Sequence, residues 1–307
     1  MNRSVPPPPE QVHRQMVGQG LIDRALRLLS LTAPIARPAL EQLEHVWLEA
    51  ISHPSVSAAA ERVSEARLPR PLLDRLISAW IKAYDVDISE AELPVEQYPT
   101  LDAFFTRKLK PGLRPIDATV GTLISPADSV LKDFGPIDDR ARIPEVKGRT
   151  YSVSDLLGDA VDVLPPDAYV GGTYGVFYLS PRDYHRVHCP CDATALAVRP
   201  QPGTTYPVNA LGVRRVEGLF VRNKRTVFAL DTEFGKLALV MVGATNVGRI
   251  TSDIAADTPV SRGDELGIFH LGSTVVLLTP RDSNLQYRGV AQGELVKVGQ
   301  PVLSVTD

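Results

Sequence analysis

The chain has 307 residues, 44% of them hydrophobic, enough to bury a large core in one or two domains. Its formal net charge of -3 gives no reason to expect nucleic acid as a partner, and it leaves attraction to anionic lipid to local basic patches. No apolar run is long enough to span a bilayer, and prolines at 6–9 stand where a secretory signal would need an apolar stretch, so an intracellular protein is expected. The two cysteines, Cys189 and Cys191, are too few for a disulfide framework or a complete zinc site and read as spare thiols.

Residues 1–20 are polar and proline-bearing and read as a flexible tail. Over 21–31, Leu21, Ile22, Ala25, Leu26, Leu28 and Leu29 recur at helical spacing until Pro34 and Pro38 interrupt. A second helix is predicted over 40–51, ended by Pro54, and a third, shorter one over 58–66. The clearest helix follows Pro71, a residue favoured at a first helical position; Leu72, Leu73, Leu76, Ile77, Trp80 and Ile81 form one broad apolar face ending near Tyr84. These amphipathic helices either pack on the core or lie partly in a membrane interface, with Trp47, Trp80 and the arginines as anchors.

Beyond residue 120 the pattern turns strand-like, with runs over 175–179, 226–231, 236–242 and 274–278 punctuated by Gly, Pro, Asn and Asp. One helical interruption is predicted over 152–157, where Ser152 can cap the first turn and Asp155 favours its positive end. The expected fold class is α+β: amphipathic N-terminal helices followed by a mainly antiparallel, β-rich domain.

The most reactive feature is Leu271-Gly272-Ser273-Thr274, which sets a Gly-Ser bond inside an apolar run near the C-terminus. Attack by Ser273 Oγ on the unshielded Gly272 carbonyl would turn the amide into an ester. Elimination would then free Gly272 and leave dehydroalanine, and hydrolysis would give a pyruvoyl group. A serine needs a base for this, and a histidine serves best when a carboxylate holds its other ring nitrogen. Ser125-Pro126-Ala127-Asp128 presents such a carboxylate on a proline-fixed turn, and Tyr184-His185-Arg186-Val187-His188 carries two of the six histidines. An extended segment would point His185 and His188 to opposite faces and a helical turn would put them on one, so different roles are plausible.

These segments, together with Phe104-Phe105, Arg114-Pro115-Ile116-Asp117, Tyr178-Leu179-Ser180-Pro181-Arg182-Asp183, Phe220-Val221-Arg222-Asn223, Asp231-Thr232-Glu233-Phe234-Gly235, Val242-Gly243-Ala244 and Val247-Gly248, resemble the bacterial type of phosphatidylserine decarboxylase proenzyme from about Pro71 onward. The resemblance implies that Asp128, His188 and Ser273 form a self-cleaving triad. His188 would draw the proton from Ser273 and Asp128 would orient His188, while His185 would serve decarboxylation and reprotonate the product. It implies a cut between Gly272 and Ser273, a covalent pyruvoyl cofactor made from Ser273, and no metal. The ketone would form a Schiff base with phosphatidylserine and release CO2 and phosphatidylethanolamine. The implied organisation is a flexible tail over 1–20, a helical membrane-associating segment over 21–95 and a β-rich decarboxylase domain over 96–307, cut into 1–272 and 273–307. The implied assembly is a heterodimer of the two cleavage chains, itself paired as a dimer, on the anionic cytoplasmic face of the cell membrane as a peripheral protein.

Three departures from the family pattern carry expectations of their own. Ser129 replaces the usual glycine after Ala-Asp, which strains the turn if that position needs positive φ. Arg249 stands where a small residue commonly follows Val-Gly and is either a lipid-phosphate contact or a solvated surface arginine. The segment 251–267 is short and could lack part of a substrate or membrane contact. Competing functions are a relative that decarboxylates a soluble amino acid such as tryptophan, a non-processing homologue, and a serine hydrolase, although no Gly-x-Ser-x-Gly elbow surrounds Ser273. A fourth is a carrier-type module built on the Gly293–Pro301 turn around Lys297.

Overall fold

The computed structural model describes residues 48–50, 52–144, 150–208, 210–245, 249–270 and 273–306. The tail over 1–20, the helix over 21–31 and most of the one over 40–51 fall outside these, as do Leu271 and Gly272; residues 48–50 are helical.

The first described helices are α1 (Pro54–Glu65) and α2 (Arg70–Tyr84). The helical residues 48–50 stop before Pro54, as expected, and Pro54 itself begins the next helix. A proline's missing N–H costs nothing in a first turn, and the His53 ring accepts from Ser55 N in the capping position, so α1 starts ahead of the predicted 58. α2 buries Leu73 and Ile77 against Tyr98, Leu101 and Phe104. The last two belong to the short helix α3 (Leu101–Phe105), capped by Thr100, whose Oγ1 accepts from Ala103 N at 3.0 Å.

The β domain follows as β1 (Thr122–Ile124), β2 (Ser129–Pro136), β3 (Arg142–Pro144), β4 (Thr150–Ser152), β5 (Thr173–Leu179), β6 (Arg186–His188) and β7 (Ala193–Gln201). It continues through β8 (Arg225–Thr232), β9 (Gly235–Gly243), β10 (Arg249–Thr251), β11 (Thr258–Val260), β12 (Glu265–His270), β13 (Ser273–Thr279), β14 (Leu285–Tyr287), β15 (Leu295–Val296) and β16 (Pro301–Val305). Helix α4 (Val153–Leu157) falls at the predicted interruption, with Ser152 Oγ accepting from Asp155 N. Short helices α5 (Ala210–Arg215) and α6 (Leu219–Arg222) precede β8.

An eight-stranded sheet in the order β11-β7-β8-β9-β13-β5-β2-β15 dominates, and every pairing in it is antiparallel. Both of its faces are buried. Phe177, Phe228, Leu239, Val275 and Leu277 join one core with Leu123, Leu303 and Phe269, while Val227, Val240, Val276 and Leu278 join another with Leu156, Leu157 and Tyr169. A strand covered on both sides needs apolar residues at every position, which is why 237–242 reads Leu-Ala-Leu-Val-Met-Val without alternation. Three smaller sheets, β10-β12-β6, β1-β16-β14 and the two-stranded β3-β4, complete the domain among the described residues. Among the described residues no helix is long and apolar enough to cross a membrane.

Candidate active site

Asp128 closes the Ser125-Pro126-Ala127 turn just before β2, where Ser125 Oγ bridges to the Ala127 carbonyl at 2.8 Å. Its buried carboxylate accepts from Arg114 Nε at 2.9 Å on each oxygen, from Arg114 Nη2 at 2.5 Å and from the Val298 backbone N–H at 2.9 Å. The same guanidinium donates to Glu90 at 2.6 and 3.2 Å, and Lys297 Nζ lies 3.2 Å from Glu90. Two carboxylates and two cations thus form one network, with the planar arginine fork at its centre. Burial alone would lower the Arg114 pKa, but its bonds to Asp128 and Glu90 more than reverse that and raise it. The Arg114 bond in turn holds Glu90 below the ordinary carboxylate range.

His188 is bolted to this turn through its backbone, its N–H donating to the Pro126 carbonyl at 2.8 Å. Its ring Nδ1 is 2.7 Å from the Gly263 carbonyl and Nε2 is 3.1 Å from the Tyr184 hydroxyl. A carbonyl can only accept, so Nδ1 carries the proton and Nε2 accepts from Tyr184, which fixes a neutral tautomer. Burial is the main cause of a His188 pKa below the usual histidine value. Asp128 and His188 are therefore neighbours without a shared hydrogen bond, because Arg114 and Val298 occupy the carboxylate. A cleft of about 280 Å³ opens here, lined in part by Lys108, Lys110, Arg114, Tyr184, His188 and Glu265.

His185 points elsewhere, as an extended segment requires. It is fully buried, stacks on Phe105 with ring centroids 4.0 Å apart, and donates from Nε2 to the Ser180 carbonyl at 3.0 Å. Burial, and secondarily the Arg107 charge, push its pKa down to about 3, so the ring is neutral. Ser273 opens β13 and pairs with Leu179 on one side and Gly243 on the other. The His185 carbonyl accepts from Phe269 N at 3.0 Å, near the far end of β12 from Glu265, the residue opposite His188. The five residue steps from Glu265 to His270 span roughly 17 Å. His188 thus lies at one end of β12 and His185 at the other, while the register of the main sheet, with Val130 opposite Tyr178 and Tyr178 opposite Thr274, puts Asp128 at the Ser273 end, two strands or roughly 10 Å from it.

Several groups here were not legible beforehand. Arg114 lay inside a quoted motif without a role, and Tyr184 was read only as a neighbour of the histidines. Asp102 and His270 form a buried pair at 2.8 Å although 168 positions separate them; the available signal was a histidine, a scarce type in this chain, three residues before Ser273. Arg249 has partners that neither expected role included. It keeps a partly exposed side chain but is ion-paired, 3.2 Å from Glu61 and 2.5 Å from Glu65 on α1 and 3.5 Å from Asp102. Ser129 does not need positive φ, since the described non-glycine residues with that geometry are Asp85, Ala141, Asp257 and Asn284, so its Cβ brings no strain. Cys189 and Cys191 are buried, and burial pushes both thiols up to about 12, which makes them unreactive. Among the described residues no group of three or more His, Cys, Asp or Glu could hold a metal ion.

The sequence model of the phosphatidylserine decarboxylase family matches residues 101–304. The phosphatidylserine decarboxylase proenzyme of Myxococcus xanthus is 39% identical over 247 residues, covering 75% of this chain and 87% of the relative. That of Aliivibrio salmonicida is 39% identical over 253 residues, with 75% and 87% covered, and that of Psychrobacter arcticus 37% over 261, with 80% and 92% covered. The chain belongs to the phosphatidylserine decarboxylase family, a family of carboxy-lyases made as proenzymes.

Proposed function

We propose that this chain is a phosphatidylserine decarboxylase that cuts itself between Gly272 and Ser273 and uses the resulting pyruvoyl group to turn phosphatidylserine into phosphatidylethanolamine and CO2. The observation that carries the reading is the position of Ser273 at the head of β13, a strand paired along both edges in the middle of the main sheet. A group made there stays located after the bond beside it breaks, so the residues fit a cofactor built from the chain. That ketone supplies an electron sink for loss of a carboxylate from an α-amino acid head group.

In the cut, Ser273 Oγ attacks the Gly272 carbonyl carbon, the C–N bond gives way to an ester, and elimination frees Gly272 as a carboxylate. Water then displaces ammonia from what was Ser273. We assign His188 as the base, its neutral Nε2 carrying the lone pair and its Nδ1 held by the Gly263 carbonyl, with Asp128, fixed by Arg114, as a neighbouring negative charge rather than a hydrogen-bonded orienter. His185 is assigned to decarboxylation, in a wall with Phe105 that excludes water. One observation favours exchanging the two histidines: His185, through Ser180 and Phe269, is the one at the Ser273 end of β12. The family is membrane-associated. Val56, Val63 and Leu72, exposed on α1 and α2, support docking of the 21–95 segment on the cytoplasmic face of the membrane, with 96–307 as the decarboxylase domain and the cut chain assembling as a dimer.

An intact mass spectrum of the purified protein, paired with CO2 release from phosphatidylserine vesicles, tests this. Two fragments divided between Gly272 and Ser273, the smaller lighter by one ammonia than a peptide beginning with serine, are expected. A single full-length mass would sink the self-cleavage. Two fragments that release CO2 from a soluble amino acid but not from vesicles would replace the lipid substrate.

A further inference from the structure

His270, the last residue of β12, stands three residues before Ser273 with both ring nitrogens engaged. Nδ1 is 2.8 Å from Asp102 Oδ1 and 3.0 Å from Oδ2, and Nε2 is 3.0 Å from Thr251 Oγ1. A carboxylate only accepts, so Nδ1 donates to Asp102; Arg249 Nη2, 2.9 Å from the same nitrogen, acts as a neighbouring charge rather than as its donor. A ring held at both ends is an anchor, not a ready base. The anchor is deep, because Asp102 sits on α3 between Leu101 and the fully buried Phe104 and Phe105. It also extends outward: Arg249 pairs through its backbone with His270 in the β10-β12 ladder, and its guanidinium reaches Glu61 and Glu65 on α1.

On the other side, Ser273 is held by Leu179 and Gly243. The proposed scissile bond therefore has fixed points on both flanks, with two residues between them. For a hydroxyl to reach the carbonyl carbon of the preceding residue, the backbone must find one arrangement among many, and fixing both flanks shrinks that search.

We infer that Asp102, His270 and Arg249 are positioning residues for self-cleavage, tying α1 to the strand that leads into the Gly272-Ser273 bond. This rests on the proposed cut, and the test separates the two. The three methionines, at 1, 16 and 241, all precede the bond, so cell-free synthesis with labelled methionine and a chase follows conversion of the full chain to 1–272. Asp102→Asn, His270→Gln and Arg249→Gln should each lengthen the maturation half-time at least tenfold. The chains that do mature should keep kcat and KM per cut chain within twofold of wild type, and Arg249→Gln, at a partly exposed side chain, should also keep its melting midpoint. Arg249→Lys, which keeps the charge toward Glu61, Glu65 and Asp102, should mature within threefold of wild type. Thr251→Val frees Nε2 with little change of volume and should slow maturation even if Asp102→Asn folds poorly. A wild type that never cuts, like Ser273→Ala, would overturn the functional reading. A wild type that cuts alongside variants that cut equally fast would overturn only the positioning role, as would variants whose kcat falls in step with maturation or an Arg249→Gln chain whose melting midpoint does.

Discussion

Replacing Arg114 by methionine keeps most of the side-chain volume but removes three hydrogen bonds from Asp128 and two from Glu90. Asp128 keeps only the Val298 N–H and Glu90 only Lys297, so two carboxylates once joined by one cation face each other in a low-dielectric site. Breaking a buried pair in this way costs about 3–5 kcal/mol. Glu90 is 25% exposed, so water relieves part of the cost and the lower end, about 3 kcal/mol, is expected. For a domain of this size that lowers the melting midpoint by roughly 6–12 °C. The measurement belongs in a Ser273→Ala background, so that one chain rather than two unfolds. Adding Asp128→Asn should recover part of the loss, with a coupling of about 2 kcal/mol in the double-mutant cycle. Glu90 has a folded pKa below its ordinary 4.5, so the stability it contributes is present above 4.5 and is lost as the pH falls through the folded value; the gap between wild type and Arg114→Met should narrow in acid. A midpoint within about 1 °C of wild type would refute the claim that Arg114 is what makes two buried carboxylates tolerable.

His188→Ala should leave the chain uncut, whereas His185→Ala should cut but decarboxylate poorly; an uncut His185→Ala would exchange the two roles, read by mass and CO2 release. A base works only when deprotonated, and burial lowers the His188 pKa below 6.5, so the half-maximal point of the wild-type maturation rate against pH should lie on the acid side of 6.5, followed by the same chase. Burial raises the Asp183 carboxyl from 3.8 to about 6, with Ser180 N donating to it at 2.7 Å. Such an acid holds its proton more tightly when folded, so its contribution is full below 3.8 and drains away up to about 6, a loss of about 3 kcal/mol. Asp183→Asn, compared with wild type by denaturant midpoint, should be more stable at pH 7.5 and lose that advantage near pH 4.

Sequence periodicity located the strands that matter because doubly covered strands are written as unbroken apolar runs; the predicted 236–242 and 274–278 are β9 and β13 less their end residues. The helix at Val153–Leu157 was legible for the same local reason, a serine cap ahead of an acidic first turn. Pro54 was read only as an end because a proline marks either side of a helix boundary, and the capping ring of His53 is what shows that it also begins a helix. At the site, local spacing could suggest that His185 and His188 face different ways, but not where each points. Arg249 looked like a surface charge since its three carboxylate partners are distant in sequence, and the Asp102 to His270 pair was invisible for that reason. Ser129 looked strained only by comparison with a glycine, and its own backbone is ordinary.

The segment after Ser273 does not form a tail. It supplies β13 at the heart of the main sheet, β15 at one edge of it, and β14 and β16, which pair with each other while β16 also pairs with β1. A chain cut before Ser273 is therefore two interwoven pieces, and order of events becomes decisive: the intact chain must fold first and be severed afterwards. Once severed, melting would scatter partners that can find each other again only by collision, with a hole in the middle of the main sheet inviting the wrong neighbour. The mature protein would then behave as a structure assembled once, recoverable from denaturant as the uncut Ser273→Ala chain but not as its finished form.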